Sequence, residues 1–231
     1  MATQWRELYR PKTIDDMVGC PDFRADCEEW RDCGRYPAAL LLVGPPGTGK
    51  TTAAGVVARQ MLGEWYDSIN YVEFNASDDR GINFVRNEVK RVAQQGGMGC
   101  KRKVILFDEA DGLTKQAQEA MRNTMEQCSE HSLFVLTAND VSAIIPALQS
   151  RCMMYYFTPA SDAAAVELYE KIAHNEQLLT DWCEHFAHLN QVCNGDLRSG
   201  VDILQSLPQT SDALANRLLV EQADFSNPAI S

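Results

Sequence analysis

Short apolar runs alternate with helix-length segments over the first 160 residues of the chain. Five runs have the length and composition of buried strands: 39–43, 71–74, 104–107, 133–136 and 154–157. Between them, apolar residues recur every three or four positions, as in the series Ile82, Val85, Val89 and Val92. Buried strands that alternate with amphipathic helices predict an α/β fold, in which helices cover both faces of a parallel sheet.

The pattern changes after residue 160, where no strand-like run remains. Pro159 and Pro208 punctuate four helical segments, 161–175, 178–193, 196–206 and 211–223. This part carries three basic against eleven acidic residues. We therefore predict an α/β domain over residues 1–160 and a small, acidic helical domain over 161–231. Gly200 predicts a loose helical domain, because glycine inside a helix costs about 1 kcal/mol relative to alanine.

The composition excludes several classes of protein. The chain has 231 residues, of which 45% are hydrophobic and 23% are charged, as in soluble globular proteins. No apolar run approaches the ~20 residues of a membrane helix, and the first residues lack an apolar signal core. The eight scattered cysteines, without a C-x-x-C pair, indicate reduced thiols. We expect a cytosolic protein with no membrane partner.

Two cysteines and two histidines in the segment 178–193 suggest zinc at first sight. Cys183 and Cys193 lie ten residues apart, which is about 1000° around a helix, so they face different sides. His185 and His188 share a side, but two ligands do not hold a structural zinc ion. We predict ordinary packing and solvated imidazoles here.

A phosphate-binding motif follows the first apolar run. Residues 44–51, Gly-Pro-Pro-Gly-Thr-Gly-Lys-Thr, match G-x-x-x-x-G-K-[ST] in full, and a helical stretch begins at Thr52. The glycines let backbone N–H groups curl around an anion, and the helix dipole adds to the attraction. Lys50 is placed to reach the β- and γ-phosphates, and the Thr51 hydroxyl to coordinate Mg²⁺. The predicted nucleotide-binding residues of the loop are Gly44, Pro45, Pro46, Gly47, Thr48, Gly49, Lys50, Thr51 and Thr52.

A pair of acids follows the apolar run 104–107. Asp108 and Glu109 stand where a buried strand ends, as in a Walker B motif. In that position Asp108 assists Mg²⁺ and Glu109 polarises the attacking water. With a complete phosphate-binding loop earlier in the chain, the acid pair predicts hydrolysis of the nucleotide rather than binding alone.

Five segments carry a family resemblance, in order and with the expected spacing. They are residues 5–19 (with Tyr9-Arg10-Pro11), 73–82 (Glu-Phe-Asn-Ala-Ser-Asp-Asp-Arg-Gly-Ile), 108–126, Ser150-Arg151-Cys152 and Gly195-Asp196-Leu197-Arg198. Together they resemble replication factor C subunits, the clamp-loader ATPases of the AAA+ superfamily in archaea, eukaryotes and phages. The resemblance covers residues 4–206.

The resemblance implies roles for further residues. Asn139 would be sensor 1, which positions water and the γ-phosphate, and Arg198 would be sensor 2. Arg151 would be an arginine finger inserted into a neighbouring subunit's site, a group worth ~10³–10⁵ in turnover. A lone subunit would then hydrolyse ATP poorly. The residues that bracket adenine, and so favour ATP over GTP, would be Tyr9, Arg10, Pro11 and Val18.

A net charge of −11 leaves nucleic acid only a local basic patch. Residues 78–103 hold seven basic against three acidic residues, and polar side chains line the helix from 82 opposite its valines. Such a stripe could follow a phosphate backbone without reading bases, although an ordinary solvated face has the same pattern. The resemblance places this helix on the inner surface of an ATPase spiral. The candidate DNA-binding residues are Arg80, Arg86, Lys90 and Arg91.

The resemblance implies an ATP-dependent clamp loader in the nucleoid, the replisome or a eukaryotic nucleus. Its partners would be other clamp-loader subunits, in a pentamer, a sliding clamp and primer–template DNA. The family's third, helical collar domain has no counterpart before Ser231, which fits either a shortened chain or a minimal form held by its neighbours.

Two alternatives remain open. Another AAA+ DNA-remodelling motor is disfavoured by segments 73–81 and 150–152. A nucleotide-stabilised, non-catalytic replication scaffold has no need of Glu109, Asn139 and Arg198.

Overall fold

The computed structural model describes residues 4–76, 81–178 and 183–206. Contacts divide the chain into two units. Among the described residues, the α/β unit comprises Pro11–Pro45 and the described part of Lys50–Phe157, and the helical unit comprises 4–10, Pro46–Gly49, 158–178 and 183–206. The domain limits 1–160 and 161–231 stay a prediction. None of the described helices is long and apolar enough to cross a membrane.

The α/β unit is built on a five-stranded parallel sheet in the order β2-β3-β4-β1-β5. The strands are β1 (Ala39–Val43), β2 (Tyr71–Asn75), β3 (Lys103–Asp108), β4 (Ser132–Ala138) and β5 (Met153–Tyr156). Every residue of β1 and β4 is buried, as expected where helices cover both faces of a sheet. The α/β class and all five predicted strands are confirmed.

Helices pack on the two faces of this sheet. They are α2 (Pro21–Cys33), α3 (Lys50–Leu62), α4 (82–94), α5 (Lys115–Cys128) and α6 (Pro146–Gln149). We name α4 the continuous helical segment formed by Ile82–Phe84, the π-helical turn Val85–Val89 and Lys90–Gln94. The π turn was not predicted. It leaves Val85 and Val89 fully buried, because their side chains join the apolar cluster on that face of the sheet.

Three helices form the core of the helical unit: α7 (Asp162–Asn175), α8 (Cys183–Val192) and α9 (Leu197–Ser206). Tyr169, Phe186, Leu189 and Leu204 are fully buried between them. Leu178, the predicted start of the second helical segment, is not helical, although it packs against this cluster. The predicted helix 211–223 and Trp182 lie outside the described residues.

The N-terminal segment belongs to the helical unit. Helix α1 (Trp5–Leu8) is a single turn, and the backbone N–H of Trp5 donates to Gln205 Oε1 at 2.8 Å. The Tyr9 hydroxyl donates to Glu176 Oε1 at 2.7 Å. Both rings pack against the core of α7–α9. Trp5 and Tyr9 thereby fasten the described N-terminal residues to Gln205 and Glu176 of the helical unit.

Gly200 is a packing position in α9. It is buried, and a Cβ atom placed on it would lie 2.6 Å from Cζ of Tyr169, with the tyrosine hydroxyl closer still. That hydroxyl is buried and has no hydrogen-bond partner among the described residues. Helix propensity alone predicts a loosened helix at Gly200, but it ignores this contact, which only a glycine permits.

We therefore expect Gly200→Ala to destabilise the protein. The clash with Tyr169 outweighs the gain in helix propensity, for a net loss of about 1–2 kcal/mol in the free energy of unfolding. Adding Tyr169→Phe removes the clashing hydroxyl but keeps Cζ, which would lie 2.6 Å from the new Cβ, so it should restore part of the loss. Urea unfolding of the wild type, the two single variants and the double variant measures these free energies. A Gly200→Ala variant as stable as the wild type would contradict the packing role.

Candidate nucleotide-binding and hydrolysis site

The phosphate-binding loop leaves the sheet at the end of β1. Gly47 and Gly49 have φ angles of 76° and 91°, a left-handed conformation that glycine adopts without the strain of a side chain. The helix α3 begins at Lys50, so its first N–H groups follow the loop directly. This is the strand–loop–helix arrangement that the motif predicts for anion binding.

Lys50 links the loop to the end of β4. Its ammonium group donates to the carbonyl oxygens of Gly44 at 2.6 Å and Pro45 at 2.7 Å, and to Asn139 Oδ1 at 3.0 Å. The side chain is only 8% exposed. The predicted phosphate lysine and the predicted sensor 1 residue are therefore in direct contact.

Asp108 ends β3 beside Thr51. The Thr51 hydroxyl donates to Asp108 Oδ1 at 2.9 Å, and the Thr137 hydroxyl donates to the same carboxylate oxygen at 2.6 Å. A carboxylate and a hydroxyl in contact are the hard oxygen ligands that Mg²⁺ prefers. The two predicted metal ligands thus lie together and fit the ion.

Glu109 adopts a left-handed backbone conformation with φ 58° and ψ 44°. This conformation is uncommon for residues other than glycine, and it occurs at functional sites where the surrounding structure enforces it. The Glu109 N–H donates to Thr137 Oγ1 at 3.0 Å. The turn after β3 is fastened to β4 at this point.

Asn139 follows β4 and is fastened to the same turn. Its backbone N–H donates to Asp111 Oδ2 at 3.1 Å, while its side chain accepts from Lys50. The other carboxylate oxygen of Asp111 is buried and has no hydrogen-bond partner among the described residues. Asp111 therefore holds the backbone of the predicted sensor.

Arg151 lies after α6 and is half exposed. Its Nε donates to Glu126 Oε1 at 2.7 Å, and Arg122 lies 3.6 Å from the same oxygen. The hydrogen bond from Arg151 lowers the pKa of Glu126. Burial raises the pKa of the adjacent Cys152 thiol to about 12, so Cys152 is a neutral packing residue.

The four predicted adenine residues divide between the two units. Tyr9 and Arg10 belong to the helical unit, where Tyr9 bonds Glu176 and Arg10 lies 3.5 Å from Glu7. Burial, together with the Glu176 carboxylate, raises the pKa of Tyr9 to about 12. Pro11 and Val18 are half-buried residues of the α/β unit.

Arg198 stands in the first turn of α9, exposed. Its N–H donates to Asp196 Oδ1 at 2.9 Å, and Ser199 donates to both oxygens of that carboxylate. Asp196 also lies against Gly47, where a Cβ atom would collide with its carboxylate. Of the remaining loop residues, Pro46 and Thr48 group with Gly47, and Thr52 lies in α3.

Arg86 and Lys90 share one side of α4. They line a groove of about 570 Å³ whose opposite wall is the polar face of α5, including Glu119, Asn123 and Gln127. Arg91 is absent from this lining and lies 3.9 Å from Glu88. Arg80 lies outside the described residues.

Two basic residues of the window 78–103 are not available to a ligand. The Arg102 guanidinium donates to the backbone oxygens of Tyr36, Pro37 and Ser132. Lys103 is 2% exposed, and burial lowers the pKa of its ammonium group. The charge count that predicted a basic patch is therefore too high for this surface.

Sequence reasoning missed Thr137 and Asp111, although a weak signal existed for each. Thr137 carries a hydroxyl directly after the apolar run 133–136, two residues before Asn139. Asp111 is a third acid just after Asp108 and Glu109. Thr137 bonds to Asp108 and Glu109 at the end of β3, and Asp111 bonds to Asn139 directly after β4. Both roles therefore depend on β3 and β4 being neighbours in the sheet.

Comparisons with known proteins agree with this geometry. The family described as ATPase family associated with various cellular activities (AAA) matches residues 40–160. Replication factor C small subunit 1 of Pyrobaculum arsenaticum is 37% identical over 227 residues, which cover 97% of this chain and 68% of that protein. The replication factor C small subunit of Natronomonas pharaonis is 41% identical over 204 residues, which cover 87% of this chain and 61% of that protein.

Among solved structures, the Thermotoga maritima RuvB Holliday junction branch migration motor is similar with a TM-score of 0.71 and 16% identity. The match covers 92% of this chain and 72% of that one, and it establishes the fold alone. Fold, site and family match together define a P-loop ATPase of the AAA class. Within that class, the chain belongs to the replication factor C small subunit family.

We expect Lys50→Ala to lower the affinity for ATP about 10- to 100-fold, because it removes a charge-assisted hydrogen-bond donor from the loop. Titration with a fluorescent ATP analogue measures the dissociation constant. Lys101→Ala, at an exposed position, is the matched control and should bind normally. Equal affinity of both variants would mean that Lys50 does not contact the nucleotide.

Proposed function

We propose that this chain binds ATP with Mg²⁺ and hydrolyses it within an assembly of clamp-loader subunits, which loads a sliding clamp onto primer–template DNA. The carrying observation is the hydrogen-bonded group at the end of the sheet, where Lys50 meets Asn139 and Thr51 meets Asp108. The replication factor C relatives support the assembly and its partners.

The residues at the end of the sheet and in the phosphate-binding loop divide the chemistry. Lys50 binds the phosphates, while Thr51 and Asp108 hold Mg²⁺, which neutralises charge on the phosphate oxygens. The Glu109 carboxylate accepts a hydrogen bond from the attacking water and orients this water towards the γ-phosphate. Asn139 holds that water and the phosphate from the other side. The loop backbone of residues 44–52 surrounds the phosphates.

Further residues, given by the family resemblance, would recognise the base and the phosphates. Tyr9, Arg10, Pro11 and Val18 bracket adenine and so select ATP. Arg198 contacts the phosphates as sensor 2, and the Asp196 carboxylate that caps α9 fixes its helix turn.

Arg151 acts on a neighbouring subunit's nucleotide as an arginine finger. Its side chain is 49% exposed, and its Nε is bound to Glu126. The guanidinium thus stands at a surface, oriented from one side. Such a residue completes a site only after two subunits meet, so hydrolysis depends on assembly.

The sliding clamp has an apolar surface on which to dock. Trp65, Ile69 and Met98 are exposed, with Met98 at 66%. Buried Asn70 links the backbones of Trp65 and Met98, since its side chain donates to the carbonyls of both residues and accepts from the Met98 N–H. Exposed apolar patches of this kind mark protein–protein contacts.

The groove between α4 and α5 binds the DNA backbone. Arg86 and Lys90 supply the positive charge, and amide side chains such as Asn123 supply neutral hydrogen bonds. Phosphate contacts of this type carry no sequence information, as a loader that acts at any primer end requires.

We expect clamp and primed DNA together to stimulate ATP turnover of the assembled subunits, and Arg151→Ala to lose that stimulation while it still binds ATP. The loss should approach the ~10³-fold value of an arginine finger. Arg31→Ala, at an exposed arginine, is the control. Turnover of the wild type is measured with every combination of clamp, primed DNA and partner subunits.

If no combination stimulates the wild type, the clamp-loader proposal fails. If Arg151→Ala keeps full stimulation, only the arginine finger is wrong. A ring of six subunits on DNA, measured by mass photometry, would instead favour a DNA-remodelling motor.

We expect the double substitution Arg86→Ala and Lys90→Ala to weaken DNA binding and to reduce the salt dependence of the affinity. Two lost phosphate contacts should lower the slope of log affinity against log salt by about 2. Fluorescence anisotropy with primed DNA at several salt concentrations measures this slope. Arg91→Ala should keep the wild-type slope, because Arg91 lies beside Glu88 rather than in the groove. A slope reduced by Arg91→Ala instead would place the DNA on the other side of α4.

A further inference from the structure

Thr137 is a buried hydroxyl at the catalytic end of a strand that is otherwise almost wholly apolar. Strand β4 is buried at all seven positions, and Thr137 itself is 1% exposed. Its neighbours in the register are Leu42 of β1, just before the phosphate-binding loop, and the end of β3. No role in phosphate, metal or base binding explains a hydroxyl here, since it reaches other protein groups instead.

The Thr137 hydroxyl satisfies two groups at once. A hydroxyl has one hydrogen to donate and lone pairs to accept with. An ionised carboxylate can only accept, so the hydrogen goes to Asp108 Oδ1 at 2.6 Å, and the lone pair takes the Glu109 N–H at 3.0 Å. The direction of both bonds is thereby fixed by the chemistry of the partners.

Glu109 needs such an anchor. A non-glycine residue in the left-handed region reverts to a commoner conformation unless its surroundings hold it. Within the described residues, the hydrogen bond to Thr137 is the side-chain contact made by its backbone N–H. The side-chain direction of Glu109 follows from this backbone conformation, and the Asp108 carboxylate is oriented by the same hydroxyl.

We propose that Thr137 is a positioning residue for ATP hydrolysis, which sets the Asp108 carboxylate for Mg²⁺ and the Glu109 carboxylate for the attacking water. This inference rests on the proposed roles of Asp108 and Glu109. It assigns to one hydroxyl on β4 the alignment of both acids at the end of β3. Asp111, which accepts from the Asn139 N–H, fastens the same turn at a second point.

Loss of the Thr137 hydroxyl is expected to change some properties of the site and to leave others unchanged. Phosphate binding by Lys50 does not pass through Thr137, so loss of its hydroxyl leaves the affinity for nucleotide without metal unchanged. Two quantities change: the Mg²⁺ concentration needed for tight binding rises, and kcat falls. A residue with a purely structural role would lower thermal stability without this separation.

The test compares Thr137→Val, which keeps the shape and removes the hydroxyl, with Thr137→Ser, which keeps the hydroxyl. We expect Thr137→Val to lower kcat at least tenfold with KM for ATP within about threefold, and Thr137→Ser to stay within about threefold of wild type in both. Turnover is measured in the most active assembly. The Mg²⁺ midpoint for binding a fluorescent ATP analogue is measured on the chain alone, and should rise severalfold for Thr137→Val only.

Thr137→Ala repeats both measurements with a smaller side chain, in case the valine variant does not fold. The proposal is overturned if the variants without a hydroxyl keep kcat and the Mg²⁺ midpoint within about twofold of wild type, or if Thr137→Ser is as impaired as they are. Glu109→Gln distinguishes a failure of the proposed role of Glu109 from a failure of the positioning role of Thr137. If it keeps full turnover, the proposed role of Glu109 fails, whereas the Mg²⁺ midpoint still decides the link from Thr137 to Asp108.

Discussion

The position of β4 between β1 and β3 is the constraint on which the site depends. All three strands are parallel, with Leu42 opposite Thr137 and Phe107 opposite Leu136. Parallel strands end at the same edge of a sheet, so the loop after β1, the acids after β3 and Asn139 after β4 meet there. Hydrogen bonds of 2.6–3.0 Å among Lys50, Asn139, Asp108 and Thr137 follow from this order. A change of strand order would separate them.

Burial decides which charges of this acidic protein can act on a ligand. Arg102 and Lys103 follow exposed Lys101 in sequence. The Arg102 side chain nevertheless donates to backbone oxygens, and Lys103 is buried. Arg151 is held by Glu126 but keeps a half-exposed side chain. A local charge count treats these cases alike, whereas the structure leaves a much smaller basic surface, centred on Arg86 and Lys90.

Periodicity and local motifs predict the parts of this protein that depend on near neighbours in the chain. The five strands, the phosphate-binding loop and the acid pair after β3 are of this kind. The strand order, the π turn of α4 and the left-handed Glu109 could not be predicted, because each is imposed by contacts with distant residues. Gly200 illustrates the limit: propensity assigns it a cost, and only Tyr169, some thirty positions earlier, explains it.

The attachment of Trp5 and Tyr9 to Gln205 and Glu176 bears on how such chains can be recombined. A crossover between related genes near residue 160 would join the first residues of one parent to the helices of another. The Trp5 and Tyr9 rings of one parent would then pack against helical side chains of the other parent. The residues that pack together in the helical unit are thus discontinuous in sequence. Successful chimaeras of this family should take the N-terminal segment with Trp5 and Tyr9 and the helices with Glu176 and Gln205 from the same parent.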